Sequence, residues 1–508
     1  MLEQMLKETV QRYPENTALI YDALRFTYHD LYALVNRVRR GFQSIGIQQG
    51  DCIALLLPNC PEFITSFYAA AQLKAIILPL NPALAAEEIK YYINDSNAVV
   101  IITDRQHADL CTTVMSKLGR KVSMLVTDGE HPAGIYMQDL AEGTRNTIQK
   151  HRSPYVGTVL FQYSSGSTGR PKRVGKTQKN LFHEAYNFTT TIPIAASDNF
   201  LCAVPLFHAH GFGNCMLAAT RTGATMTILE ELKKNGVTLN VPFALKSRRV
   251  MELIERERVT ILPGVPFVFK ALSEIPDNLS FDVSSLRICF SAGNFLQKET
   301  FDKFLKRFGI AVRQLYGCTE AGSVAINLEP GNAIKYDSVG FPMKNGEVII
   351  VDDQGTILPP GAIGEITIKS LALTSGYCNM PELNATAFKD GYFRTGDLGK
   401  KDEQGYIFIT GRKKIFIETG GNKVDPLEIE DILMTHPKVK EAVVVGVKGA
   451  YDQEIIKAVI VSDGDCQVRD ITSYCKDRLA SFKVPQLIEF RDEIPKNPLG
   501  KILRKDLV

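Results

Sequence analysis

Short unbroken apolar runs alternate with helically spaced stretches along the first two thirds of the chain. Residues 51–57 form one such run, which stops at Pro58-Asn59; 98–103, 122–126, 158–163 and 200–205 are others. Runs this short, closed by turn residues, predict strands buried on both faces. The stretch 61–73, with Ala69, Ala70 and Ala71, reads as a helix between them. Further on, spacing predicts helices over 248–258, 266–272 and 298–308, and strands over 260–262, 286–290 and 312–315. Alternation of this kind predicts parallel sheet covered by helices, in two blocks, 1–152 and 156–339.

The rhythm changes after residue 338. Segments 347–352, 364–369 and 406–409 are of β type, separated by Asp353-Gln354-Gly355 and Pro359-Pro360-Gly361. Such punctuation predicts a small antiparallel subdomain over 338–409. Beyond it come a helix at 427–435, strands at 439–447 and 457–461, and a helix at 468–479. The expected class is therefore α/β. A large N-terminal domain, 1–411, would hold stacked, helix-covered parallel sheets plus the β-rich subdomain, and a small α+β domain would occupy 412–508.

Length and composition narrow the class. At 508 residues the chain is too long for one ordinary core. Apolar residues at 45% and charged residues at 23% are ordinary for a soluble globular protein. A net charge of +3 gives no reason to expect nucleic acid or a membrane surface as partner. Residues 1–13 read as an amphipathic helix and not a signal peptide. The most membrane-like stretch, 67–86, is broken by Lys74, Pro79 and Pro82, so no integral membrane segment is expected. Ten scattered cysteines without a CxxC pair read as reduced core residues of a cytoplasmic protein.

Candidate chemistry begins at 163–172, where Tyr163 leads into Ser164, Ser165, Gly166, Ser167, Thr168, Gly169, Arg170, Pro171 and Lys172. Glycines let backbone amides face one point, hydroxyls add donors, and Arg170 and Lys172 add positive charge. That composition suits phosphate oxygens. It is not a Walker loop, which requires Gly-Lys-Ser/Thr at its end. A flexible Ser/Gly linker is the other reading of such a stretch; the strand before it and the charges inside it favour phosphate. Three further strands end in loops of similar character: Phe207-His208-Ala209-His210-Gly211, Ser291-Ala292-Gly293 and Tyr316-Gly317-Cys318-Thr319-Glu320. Ligand sites of open parallel sheets lie at the carboxyl ends of strands.

Six motifs then stand in order: YSSGSTGRPK, PLFHAHG, YGCTE, YFRTGDLG, GRKK followed by Gly420-Gly421, and PLGKILR. Together they resemble the acyl-adenylate-forming superfamily of acyl- and aryl-CoA synthetases, luciferases and adenylation domains. The resemblance spans nearly the whole chain and its pattern is nearest an AMP-forming acyl-CoA synthetase. It implies activation of a small-molecule carboxylic acid by ATP and Mg²⁺ to acyl-AMP with release of pyrophosphate. Transfer to the thiol of coenzyme A would follow, the small C-terminal domain rotating between steps.

The resemblance also implies roles. Ser164 to Lys172 would cradle the β- and γ-phosphates, Thr319 would contact the α-phosphate and Glu320 would hold Mg²⁺. Tyr316 would stack on adenine, and Asp397, with Arg412 nearby, would take the ribose hydroxyls. Lys501 would bridge carboxylate and α-phosphate, Lys414 would be the hinge, Gly420 and Gly421 would approach the pantetheine thiol, and His208 would gate the acyl site. Four departures stand out. Arg173 replaces a glycine, so the turn expected after Lys172 must tolerate a side chain; Ser167 replaces a commoner threonine, and Glu418 a lysine near the thiolation surface; no aspartate follows His208, which disfavours an α-amino acid. The acyl pocket is expected along Phe207, Gly211, Cys215, Ala292, Gly293, Gly317, Cys318, Ala321 and Gly322, small and apolar enough for a medium- or long-chain fatty acid. The alternatives are a cinnamate-like aryl acid, or a carrier-protein thiol as acceptor.

Overall fold

The computed structural model describes residues 1–142, 157–164, 171–234, 237–238, 245–330, 334–412, 416–449, 454–495, 502 and 504–508. The predicted apolar runs form the middle of two large sheets. The seven-stranded sheet runs Ile135–Tyr136, Ser123–Val126, Val100–Thr103, Cys52–Leu56, Ile76–Pro79, Thr158–Ser164, Lys172–Thr177. Its pairings are parallel except the last, an antiparallel return that carries the candidate phosphate loop. Cys52–Leu56, Ile76–Pro79 and Val100–Thr103 are buried at every position, as strands covered on both faces must be.

The nine-stranded sheet runs Phe341–Pro342, Gly322–Ile326, Val312–Cys318, Ile288–Ser291, Ile261–Gly264, Asn199–Cys202, Thr225–Ile228, Thr17–Tyr21, Leu24–Thr27. Helices Tyr28–Ser44, Pro61–Gln72 and Gln178–Thr191 bury Phe42, Phe67 and Phe188 in one apolar cluster with residues of both sheets. Phe67 meets Phe212 edge-on with centroids 4.7 Å apart.

Apolar spacing does not mark two of these helices, Tyr28–Ser44 and Gln178–Thr191, nor Ala86–Ser96. Two of the three start on a clear local signal instead. The Asp30 amide donates to Thr27 Oγ1 and the Thr27 amide to the Asp30 carboxylate; Thr177 and Asn180 repeat the arrangement. In Gln178–Thr191 the buried face includes Glu184 and Asn187, which breaks the apolar period.

The expected loop after residue 205 is corrected. The strand ends at Cys202, His208 is extended (φ −90°, ψ 147°), and the chain is helical from Ala209 to Thr222, with a wide π turn at Phe212–Leu217. His208 and His210 therefore do not alternate along a strand. Such wide turns occur often at functional sites.

An antiparallel sheet follows, Gly346–Val351, Gly364–Ser370, Tyr392–Lys401 and Phe388–Lys389, with Ile407–Arg412 beside Tyr392–Lys401. The C-terminal part packs helices Pro426–Met434 and Val468–Lys476 on a sheet of Val439–Lys448, Glu454–Ser462 and Leu487–Phe490. The hairpin Ile417–Thr419/Asn422–Val424 stands before it. All ten cysteines are free thiols. Among the described residues no helix is long and apolar enough to cross a membrane.

Candidate active site

Strand Val312–Cys318 turns back into Gly322–Ile326, and Thr319 and Glu320 sit at the tip of that return. The two strands approach so closely that a Cβ on Gly317 would lie 2.6 Å from the Gly322 carbonyl oxygen. Glu320 is buried, and its Oε1 accepts from the Tyr377 hydroxyl at 2.8 Å. The Lys172 ammonium lies 4.8 Å from the centre of the Tyr377 ring. One tyrosine thus stands between the last residue of the phosphate motif and the carboxylate expected to hold the metal. No motif marked it.

Tyr316, on the same strand, donates its hydroxyl to Asp397 Oδ2 at 2.6 Å. Burial first, then the Asp397 charge, pushes its ionisation well up, so it stays a donor. Asp397 faces Arg412 in the register of Tyr392–Lys401 and Ile407–Arg412. Ser164, the first hydroxyl of the loop, has an enclosed Oγ with no partner among the described residues. Ser165, Gly166, Ser167, Thr168 and Gly169, like Lys414 and Lys501, lie outside the described residues.

Arg173 does not occupy a turn. It lies in strand Lys172–Thr177, buried, with its guanidinium 4.8 Å from the Phe161 ring centre. It pairs with the Asp95 carboxylate at 3.3 Å and also donates to the Asp95 main-chain carbonyl. Tyr163 donates its hydroxyl to the same carboxylate. Both flanks of the loop are tied to the end of helix Ala86–Ser96. The glycine-to-arginine departure thereby becomes an anchor.

Gly211 and Cys215 do not line open space: a Cβ on Gly211 would fall 2.3 Å from the Pro205 carbonyl oxygen, and Cys215 is wholly buried in the core. A Cβ on Gly213 would fall 2.2 Å from Glu184 Oε1, and one on Gly322 would fall 2.4 Å from Glu184 Cδ. The small residues make room for a carboxylate of the protein itself. Lys176 Nζ pairs with Glu184 Oε2 at 2.6 Å, both side chains buried. Alongside, Ser323 donates to Asn214 Oδ1 at 2.7 Å, and the Asn214 amide meets His210 Nδ1 at 2.9 Å. His210 Nε2 lies 3.0 Å from the Gly264 carbonyl oxygen. Ala321 is buried and Cys318 half-buried. Sequence reading missed Glu184, Lys176, Asn214 and Ser323; the one signal available, for Glu184 alone, was a charge on an otherwise apolar helix face.

His208 is exposed, with the Phe207 ring 4.8 Å away. Desolvation by the surrounding protein, and then the Lys423 charge, holds its ring below the usual histidine range. Lys423 belongs to the hairpin whose turn is Gly420-Gly421, with φ of 57° and 79°. Two successive left-handed residues make the tight hairpin turn that favours glycine. A Cβ on Gly421 would touch Val265 Cγ2 at 3.9 Å. Where this hairpin meets the large domain lies a cavity of about 180 Å³, lined by Ala292, Gly293 and Asn294 on one side and Glu418, Gly420, Gly421 and Lys423 on the other. Glu418 faces Lys423 in the hairpin register. Burial raises its carboxyl pKa, while Lys423 acts in the opposite sense.

Residues 6–378 match the family described as AMP-binding enzyme, and 428–501 match the AMP-binding enzyme C-terminal domain. The chain belongs to the AMP-binding enzyme family, and it is an AMP-forming acid–thiol ligase that uses ATP, Mg²⁺ and coenzyme A. It is 34% identical to a 4-coumarate–CoA ligase of Arabidopsis thaliana over 95% of this chain and 85% of the other. It is 33% identical to a long-chain-fatty-acid–CoA ligase of Mycobacterium tuberculosis, over 95% of this chain and 92% of the other. Among solved structures, the o-succinylbenzoate CoA synthetase of Bacillus subtilis, a double mutant bound with its product analogue, matches with TM-score 0.85 at 26% identity, over 99% of this chain and 98% of that one. An anthranilate CoA ligase in complex with anthranoyl-AMP, also 26% identical and covering 100% and 96%, scores 0.72.

The residues present fit ATP and Mg²⁺. Ser164 offers a hydroxyl that has no partner among the described residues. Glu320 Oε2 has no hydrogen-bond partner among the described residues, and a carboxylate oxygen suits a hard cation.

Proposed function

We propose that the chain activates a carboxylic acid in the crevice between Ser164, Lys172, Thr319, Glu320 and Asp397, and passes the acyl group to coenzyme A at the cavity beside Gly420-Gly421. Supporting this most directly is the placement of Tyr377 between Lys172 and Glu320. In the first half-reaction the loop from Ser164 to Lys172, including Ser165, Gly166, Ser167, Thr168 and Gly169, holds the β- and γ-phosphates. Thr319 contacts the α-phosphate, and Glu320 holds Mg²⁺, which would neutralise charge on the phosphates. Tyr316 stacks on adenine, and Asp397 with Arg412 binds the ribose. Lys501 brings carboxylate and α-phosphate together. In the second half-reaction the thiol enters past Ala292, Gly293, Gly420 and Gly421, and His208 moves aside for it.

We place the domain boundary at 411/412, with Lys414 as hinge. The free cysteines support a cytoplasmic location. The acid is proposed to be compact. Glu184 and the His210–Asn214–Ser323 chain stand beside Gly211, Ala321 and Gly322, residues expected along the acyl pocket, and that supports an aryl, cinnamate-like acid over a medium- or long-chain fatty acid. Coenzyme A is the acceptor, with a carrier-protein thiol as the alternative. Pyrophosphate release across a panel of fatty and aryl acids, with and without coenzyme A, tests the reading. Release of inorganic phosphate or ADP instead would overturn it.

A further inference from the structure

Helix Ala86–Ser96 carries Glu88, Tyr92 and Asp95 at spacings of four and three, hence on one face. Each reaches a different element. Glu88 Oε1 accepts from Lys483 Nζ at 2.6 Å, and the same ammonium donates to Glu428 Oε1 at 2.7 Å. Lys483 and Glu428 belong to the C-terminal part, Glu88 to the large domain. Lys483 is 6% exposed and Glu88 8%, so the bridge is sealed from water. Ala480 and Phe482 seal it, packing into the apolar cluster of the seven-stranded sheet. The Tyr92 ring meets Tyr163 edge-on at 4.5 Å. Asp95 holds Tyr163 and Arg173, the residues on either side of the phosphate loop. One helix face therefore touches the C-terminal domain at one end and both flanks of the loop at the other.

We propose that Lys483 and Glu88 are positioning residues for thioester formation: their bridge holds the C-terminal domain where Gly421 meets Val265, at the cavity lined by Ala292 and Gly293. The inference rests on the two-step reading above. The chemistry suits a contact made and broken in every turnover. Breaking a buried pair is severe when it strands a charge. Here rotation leaves Lys483 paired with Glu428 in its own domain and exposes Glu88 to water, so neither charge is stranded. A contact of that kind biases an orientation without locking it. Through Tyr92 and Asp95 it also binds the orientation to the flanks of the loop.

The test uses Glu88→Gln and Lys483→Met in the full chain. The first substitution removes the charge yet keeps an acceptor for the Ala85 amide at the helix start, which in the native chain donates to Glu88 Oε2 at 2.9 Å. Thioester formation is followed from supplied 4-coumaroyl-AMP or dodecanoyl-AMP with coenzyme A, and adenylation by pyrophosphate exchange with the same acids. Both variants should slow thioester formation on the order of tenfold, within the range of coupling energies, while exchange changes less than twofold. Hydrogen exchange of the ligand-free chain should rise over 86–96 in both. Equal loss of the two half-reactions, or unchanged thioester formation, overturns the inference. A wild-type chain that exchanges no pyrophosphate strikes the proposed function instead, and ligand-free hydrogen exchange then decides the bridge by itself: unchanged protection over 86–96 overturns it.

Discussion

Tyr377 donates its hydroxyl to Glu320 Oε1 at 2.8 Å, and that bond leaves the second carboxylate oxygen available to a cation. Tyr377→Phe should release the bonded oxygen and let the carboxylate turn. Hydrogen bonds to charged groups contribute about 1.5–3 kcal/mol, so pyrophosphate exchange should fall about tenfold or more. The Mg²⁺ concentration for half-maximal rate should rise with it. An unchanged Mg²⁺ dependence would separate Tyr377 from the metal.

Lys501 is the second test. Lys501→Ala should abolish pyrophosphate exchange yet largely preserve thioester formation from supplied acyl-AMP. Loss of both half-reactions to the same degree would remove Lys501 from the adenylation step.

The buried pair Lys176–Glu184 yields a stability prediction and a selectivity one. Glu184→Ala leaves an ammonium buried and unpaired, which costs about 3–5 kcal/mol. Lys176→Met combined with Glu184→Leu removes both charges together and should cost far less in a denaturant midpoint. The double variant should also move acid preference toward longer alkyl chains. If its acid panel matches wild type, Glu184 does not bound the acyl site.

His210 should make the fold acid-sensitive. Burial pushes its pKa down to about 4 from an ordinary 6.5, against the bond to the Gly264 carbonyl, which acts to raise it. The folded value lies below the unfolded one, so this group's stabilisation is present above pH 6.5 and is lost as pH falls from 6.5 toward 4. His210→Gln should flatten the fall of melting temperature in that window. A slope identical to wild type would show that other groups carry it.

How much is legible in the sequence varies with the range of the cause. The strands 52–56 and 100–103 and the helix 298–308 follow from local apolar period and turn residues, and they stand where the pattern put them. Helix Gln178–Thr191 was missed because Glu184 and Asn187 interrupt its apolar face. Their partners, Lys176 and Ser370, lie on other elements. The glycines at 211 and 213 look like loop punctuation in the sequence, yet the chain after His208 is helical. They are small there because Pro205 and Glu184 press against them.

The sequence by itself determined the α/β class, the family and the order of its motifs, because alternation of period and short motifs are local properties of the chain. Only the tertiary structure decided that Tyr377 joins Lys172 to Glu320, that Arg173 anchors the phosphate motif to Asp95, and that Lys483 reaches Glu88 across 395 positions. Those contacts depend on which faces the sheets and helices turn toward one another. Packing sets that, and no spacing along the chain encodes it.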